Sequence, residues 1–107
     1  MIVIKRSGEE VTFDSSKIEN AVRKANAATI ETDRMDEETI QIITRTVTDQ
    51  CSEFSRAVSV EEIQDMVESQ IMAHGAYEVA KKYITYRYTR NLVRRSNTTD
   101  DKILSLI

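Results

Sequence analysis

Ile2-Val3-Ile4 is a short apolar run, Val11-Thr12-Phe13 alternates apolar and polar, and from there the apolar positions recur at helical spacing. Alternation puts Ile2 and Ile4 on one face of a first strand, and Val11 with Phe13 on one face of a second. Ser7-Gly8 between them supplies a hairpin turn, since glycine tolerates the positive φ that a tight turn needs. A first helix is expected to start near Asp14 to Ser16. Ser16 and Glu19 have capping-box spacing, and Ile18, Ala21, Val22 and Ala25 make an i, i+3, i+4, i+7 stripe. Residues 26–35 are mostly polar and read as a loop.

A second helix follows from about Asp36, with Ile40, Ile43, Val47, Cys51 and Phe54 turned inward. Ala57-Val58-Ser59 can add a short third strand. Ser59 and Glu62 form a second capping box, which opens a third helix burying Val60, Ile63, Met66, Val67 and Ile71. That helix ends at His74-Gly75, a glycine stop. A fourth runs from about Ala76 into the Arg94 region, with Val79, Ala80, Tyr83, Ile84, Tyr86 and Leu92 available for packing. Two strands alone are marginal, so the hairpin must lie on the helices. The expected fold is α+β and mainly α: a four-helix bundle covered by an N-terminal hairpin or three-stranded sheet. The expected domain spans residues 1–95. Residues 96–107 read as a linker and the start of a following domain, because Lys102 to Ile107 begins an apolar run that goes unfinished.

The chain has 107 residues, no proline and two glycines, which suits one domain of long helices. A lone cysteine, Cys51, leaves no internal disulfide and no Cys-x-x-Cys knuckle, and its expected role is packing. No run of about 18 apolar residues exists and no signal pattern opens the chain, so no membrane partner is expected and the expected location is cytoplasmic.

Charge changes this picture. The formal net charge is −3, yet Lys81, Lys82, Arg87, Arg90, Arg94 and Arg95 fall within residues 81–95 without one acidic residue. A basic helix on an acidic body favours a local anion site over general nucleic-acid binding. Lys5 and Arg6 flank the hairpin turn, and Lys17 lies in the first turn of the first helix. A cation there opposes the helix dipole, a cost that a polyphosphate would reverse. Lys5 and Arg6 equally suit protection of a hairpin edge. Neither a Walker loop nor a dinucleotide fingerprint is present, so side-chain cations would have to hold any phosphate.

Other chemistry has little to stand on. The single histidine, His74, sits beside a helix-ending glycine, and Glu37-Glu38 and Glu61-Glu62 fall where first-turn carboxylates suit the dipole. Catalysis by this chain alone is not expected. Along Tyr83-Ile84-Thr85-Tyr86-Arg87-Tyr88-Thr89-Arg90, Tyr83 and Tyr86 share a face with Val79 and Ala80. That favours core packing over base stacking, with Arg87 and Arg90 pointing together.

Four pieces in order are similar to one family, the ATP-cone. They are Val3-Ile4-Lys5-Arg6-Ser7-Gly8, Phe13-Asp14-Ser15-Ser16-Lys17-Ile18, Val60-Glu61-Glu62-Ile63-Gln64-Asp65-Met66-Val67-Glu68 and Val79-Ala80-Lys81-Lys82-Tyr83-Ile84-Thr85-Tyr86-Arg87. This is the nucleotide-sensing domain at the N-terminus of many ribonucleotide reductases, and the likeness covers roughly residues 2–95. It implies a helical bundle capped by a small sheet. It implies phosphate contacts from Lys5, Arg6, Lys17 and Arg90, with Arg87 as a supporting or additional phosphate contact. It implies an adenine lined by Val3 and Ile18, with Asp14 accepting from the base amino group and Gln64 brought toward the nucleotide. It implies no metal ligand on the protein, magnesium coming with the phosphates. Two positions depart from the family: Ser7 stands where several relatives have aspartate, and Val11 replaces an acidic adenine contact.

The resemblance implies an overall activity switch for deoxyribonucleotide synthesis, driven by ATP or dATP as allosteric effector. Implied partners are the catalytic domain of the parent reductase and, with effector, further copies of the chain. The tail Arg94-Arg95-Ser96-Asn97-Thr98-Thr99-Asp100-Asp101 resembles the junction into the anaerobic, glycyl-radical (class III) ribonucleoside-triphosphate reductase. The alternatives are an aerobic reductase, a nucleotide-sensing transcriptional repressor or a plain helical interaction module. Against the repressor, no Cys-x-x-Cys pair precedes the hairpin.

Overall fold

Asp14, not Ser16, starts the first helix. Its carboxylate Oδ1 accepts from the Ser16 amide at 3.0 Å and the Ser16 hydroxyl at 2.7 Å. Helix α1 therefore spans Ser15–Ala27, and the expected Ser16–Glu19 box does not form. Aspartate two residues earlier already satisfies the first-turn donors, and Glu19 turns to Arg23 and Gln41 instead. The computed structural model describes residues 1–90.

Ahead of α1 stand strands β1 (Ile2–Ile4) and β2 (Glu10–Thr12), antiparallel with Val3 opposite Val11. Arg6 and Ser7 take the corners of the loop. The Gly8 amide donates to the Lys5 carbonyl at 2.9 Å and the Lys5 amide to the Glu9 carbonyl at 2.8 Å. Gly8 has φ +87°, the left-handed conformation that closes a three-residue hairpin.

A short 3₁₀ turn, Glu31–Asp33, interrupts the loop before α2 (Glu37–Ser52), which Asp36 caps through the Thr39 amide. Strand β3 is Val58–Ser59 and lies parallel to β1, giving the sheet order β2-β1-β3. Ser59 is at once the end of β3 and the cap of α3 (Val60–Ala73). The Ser59–Glu62 capping box is formed in both directions. Gly75, at φ +74°, ends that helix, and α4 is helical over residues 77–90.

Each helix gives one stripe to a single core. Ile18, Val22 and Ala25 meet Ile40, Ile43, Val47 and Cys51, then Ile63, Val67 and Ile71, then Val79, Ala80 and Tyr83. Val3 and Val58 close the core from the sheet. Apolar burial of this kind, near 25 cal/mol for each Å² removed from water, is what joins the sheet to the helices. Cys51 is buried against Met66, Sγ to Sδ 3.9 Å, and burial pushes its thiol pKa up. No helix among the described residues is long and apolar enough to cross a membrane.

Several expectations about burial change. Phe54 lies beyond the end of α2 and is exposed, with the Arg56 guanidinium 4.9 Å over its ring. Ile84 is exposed on α4, and Val60 and Met66 are only partly buried. Leu92, the tail Arg94 to Asp101, the boundary at residue 95 and the apolar run 102–107 lie outside the described residues.

Candidate functional site

The first turns of α3 meet the hairpin corner and the later turns of α4, and the last turn of α1 meets α4 at Tyr86. Two groups of cations lie there, in opposite electrostatic states.

The first group is built on Gln64. Its Oε1 accepts from Arg6 Nη2 at 2.8 Å and from Arg87 Nε at 3.1 Å. Arg6 reaches it from the hairpin corner, and Arg87 from α4. Helical spacing on α3 brings Glu61, Asp65 and Glu68 to one face, at i, i+4 and i+7. Arg87 pairs with all three, at 3.2, 3.1 and 3.1 Å. Arg6 pairs with Glu61 alone, at 3.1 Å. Burial works against the charge on Arg87, whose side chain is 15% exposed, but its bonds to Asp65 and Glu68 outweigh that and raise its pKa. This group ties hairpin, α3 and α4 together with its charge neutralised.

The second group lines the α1–α4 wall. Lys24 Nζ stands 5.9 Å over the Tyr86 ring, a cation–π distance. Arg90 Nη1 donates to the Tyr86 hydroxyl at 3.3 Å. Lys17 lies seven residues before Lys24, two turns along the same stripe of α1. Among the described residues, none of Lys17, Lys24 and Arg90 pairs with a carboxylate. Arg23, next to Lys24 on α1, turns the other way and binds Glu37 on α2.

The remaining expected residues scatter around these groups. Lys5 is exposed and pairs loosely with Glu9 at 3.6 Å; among the described residues nothing joins it directly to Lys17 or Arg90. Val3 and Ile18 are core residues, each 6% exposed, so they can offer a ligand only an edge. Asp14 is exposed and its hydrogen bonds from Ser16 hold its pKa below the usual carboxylate range. Both bonds fall on Oδ1 and leave Oδ2 as an acceptor. Arg87 and Arg90 do not share a partner: Arg87 turns to α3, whereas Arg90 bonds Tyr86 on its own helix. Three residues on a helix differ by about 60° of rotation, and that is enough to send two long side chains to different neighbours.

Sequence reasoning missed Lys24 and the carboxylates Glu61, Asp65 and Glu68 as parts of these groups. It read Tyr86 as core, whereas Tyr86 is partly buried and carries both cations. The i, i+7 spacing of Lys17 and Lys24 was the available signal. Two surface hollows, one beside Ile2, Phe54 and Arg56 and one beside Asp36, His74 and Tyr77, are lined by none of these cations. Among the described residues no group of three metal-ligating side chains gathers.

Residues 1–92 match the family model for the ATP cone domain. The chain is similar to the ribonucleoside-diphosphate reductase subunit alpha of Chlamydia trachomatis, 37% identical over 106 residues covering 92% of this chain and 10% of that protein. It is also similar to the anaerobic ribonucleoside-triphosphate reductase of Haemophilus influenzae, 32% identical over 102 residues, with 90% and 13% covered. The protein of that name from Salmonella typhimurium is 34% identical over 93 residues, with 86% and 12% covered. The chain thus spans about a tenth of the length of these curated relatives.

Proposed function

The chain belongs to the ATP cone domain family, and from that premise we propose that it binds ATP and dATP as the allosteric sensor of a ribonucleotide reductase. The observation that carries this reading is the contrast between the two cation groups. Arg6 and Arg87 are neutralised by α3, whereas Lys24 and Arg90 share Tyr86, and among the described residues neither they nor Lys17 pairs with a carboxylate. A triphosphate supplies the missing anion. Lys17 receives it from the first turn of α1 with a charge-assisted bond. Arg90 receives it from α4, and Lys5 and Arg6 close over it from the hairpin. Oδ2 of the ionised Asp14 accepts from the adenine amino group, with Val3 and Ile18 beneath the ring. Magnesium comes on the phosphates, a mode suited to an ion that keeps several of its waters.

Sensing requires more than binding. ATP and dATP differ by one ribose hydroxyl, so they must favour two conformations or assemblies unequally for activity to change. The catalytic domain of the parent reads that difference, directly or through effector-dependent self-association. The tail residues 94–101 support an anaerobic, triphosphate-reducing parent. The 37% identity to a chlamydial diphosphate reductase alpha subunit, against 32% for the Haemophilus triphosphate enzyme, supports the other class. Turnover of ribonucleoside di- or triphosphates by the full-length parent separates them.

The direct test is thermal unfolding with ATP, dATP and GTP. At about one hundred times its dissociation constant a ligand adds roughly 2.7 kcal/mol of stability. A midpoint that rises with the adenine nucleotides bears the reading out. One that stays fixed at millimolar ATP and dATP removes it.

A further inference from the structure

We propose that Glu61 is a built-in competitor for Arg6, so that nucleotide binding is an exchange in which a phosphate takes the guanidinium from a carboxylate of the same chain. The proposal rests on the nucleotide-binding reading above. Its geometry is specific to one residue. Glu61 Oε1 lies 3.1 Å from Arg6 and Oε2 lies 3.2 Å from Arg87, so a single carboxylate bridges the hairpin corner and α4. The two guanidinium groups depend on it unequally. Arg87 keeps Asp65 and Glu68 when Glu61 is taken away. Arg6 keeps only the neutral amide oxygen of Gln64.

The pair is built to be displaced. Glu61 is 52% exposed and Arg6 24% exposed, so water and anions reach both. Exposed and half-exposed pairs are weak, and a triphosphate brings more charge than one carboxylate. The Ser59–Glu62 capping box fixes the backbone of the first turn of α3 and Arg87 still holds Oε2, so the carboxylate stays beside the site once Arg6 has let go. It then faces the bound phosphate as a like charge. Both steps, the lost pair and the new repulsion, weaken the nucleotide, and both disappear when the carboxylate is neutral.

Calorimetric titration of ATP into wild type, Glu61→Gln and Asp65→Asn tests this. Asp65→Asn removes the same charge one turn further along, from a residue that binds Arg87 and not Arg6. The expected result is about two- to fivefold tighter ATP binding in Glu61→Gln, a smaller gain in Asp65→Asn, and no gain from Glu61→Gln in an Arg6→Ala background. Glu61→Ser, with a side chain suited to a helix start, repeats the measurement should the amide disturb folding. Equal affinity in wild type and Glu61→Gln overturns the competitor and leaves nucleotide binding standing. An equal gain in Asp65→Asn, or a gain that survives Arg6→Ala, also overturns it, as an effect of net charge. Binding by Glu61→Gln with none by wild type supports the competitor while denying sensing to the native chain. Binding by neither overturns both.

Discussion

Gln64 Oε1 accepts from Arg6 at 2.8 Å across fifty-eight positions of sequence, and so fastens the hairpin corner to the first turns of α3. The hairpin itself is short, with three-residue strands. A two-stranded ribbon of that size is marginal in water, so the tie adds to what β3 and the burial of Val3 supply. Gln64→Ala removes the acceptor. A hydrogen bond to a charged group is worth about 1.5–3 kcal/mol, so the amides of Lys5 and Gly8 should exchange with solvent at least tenfold faster. Core amides such as that of Val67 should not change. Exchange at the hairpin equal to wild type would show that β3 and the core hold the lid unaided.

The cations of the α1–α4 wall should dominate affinity for nucleotide. Lys17→Ala and Arg90→Ala each remove one charge-assisted bond to a phosphate, expected to cost about tenfold or more in ATP affinity. Lys24→Ala should cost less, because the ammonium is shared with the Tyr86 ring. Lys81, on α4 and paired with Glu78 at 3.1 Å, is the control and should leave the titration unchanged. Equal losses at Lys81 and Arg90 would reduce the effect to overall charge.

Capping separates two serines that look alike in sequence. Ser59 accepts from the Glu62 amide at 3.1 Å, while Glu62 accepts from the Ser59 amide at 3.2 Å. Ser59→Ala should therefore cost about 1 kcal/mol, within the range of about 0.5–2 for lost caps. Ser16 is only a donor to the true cap, Asp14. In denaturant unfolding Asp14→Ala should resemble Ser59→Ala, and Ser16→Ala should lie near wild type. A larger loss at Ser16 than at Asp14 would reverse the assignment of the α1 start.

The helices were legible because each buries one stripe at a 3.6-residue period, and Ile40, Ile43, Val47 and Cys51 are found where that period puts them. The strand at Val58 was legible because a β-branched residue stands just before a capping box. Phe54 was not, since extending the α2 stripe ignores the helix end at Ser52. At the site, sequence supplied Arg6, Gln64 and Arg87 but not their partnership. Charge spacing tells which residues share a helix face. It does not tell which neighbouring helix that face meets. For the same reason Glu61 looked like a dipole-favoured first-turn acid, which it is, while its bond to the hairpin depended on a tertiary approach.

Acid should loosen the contact between α1 and α2. Arg23 Nη1 donates to Glu37 Oε2 at 2.6 Å, and Gln41 donates to the same carboxylate. Bonds from Arg23 first, then from Gln41, hold the Glu37 pKa down at about 2, against about 4.5 for an ordinary glutamate. The unfolded chain thus takes up this proton first as pH falls. Linkage then requires that the contribution of Glu37 be complete above about pH 4.5 and lost on the way down to about pH 2. Glu62, held low by Arg56 and the Ser59 amide, and the two helix caps Asp14 and Asp36 act in the same direction. Glu37→Gln deletes one such group without deleting bulk. Its unfolding midpoint should lie below that of wild type at pH 7, and the gap should close as pH is lowered from about 4.5 to 2. Two parallel curves across that range would mean that the Arg23–Glu37 pair contributes nothing that depends on its charge.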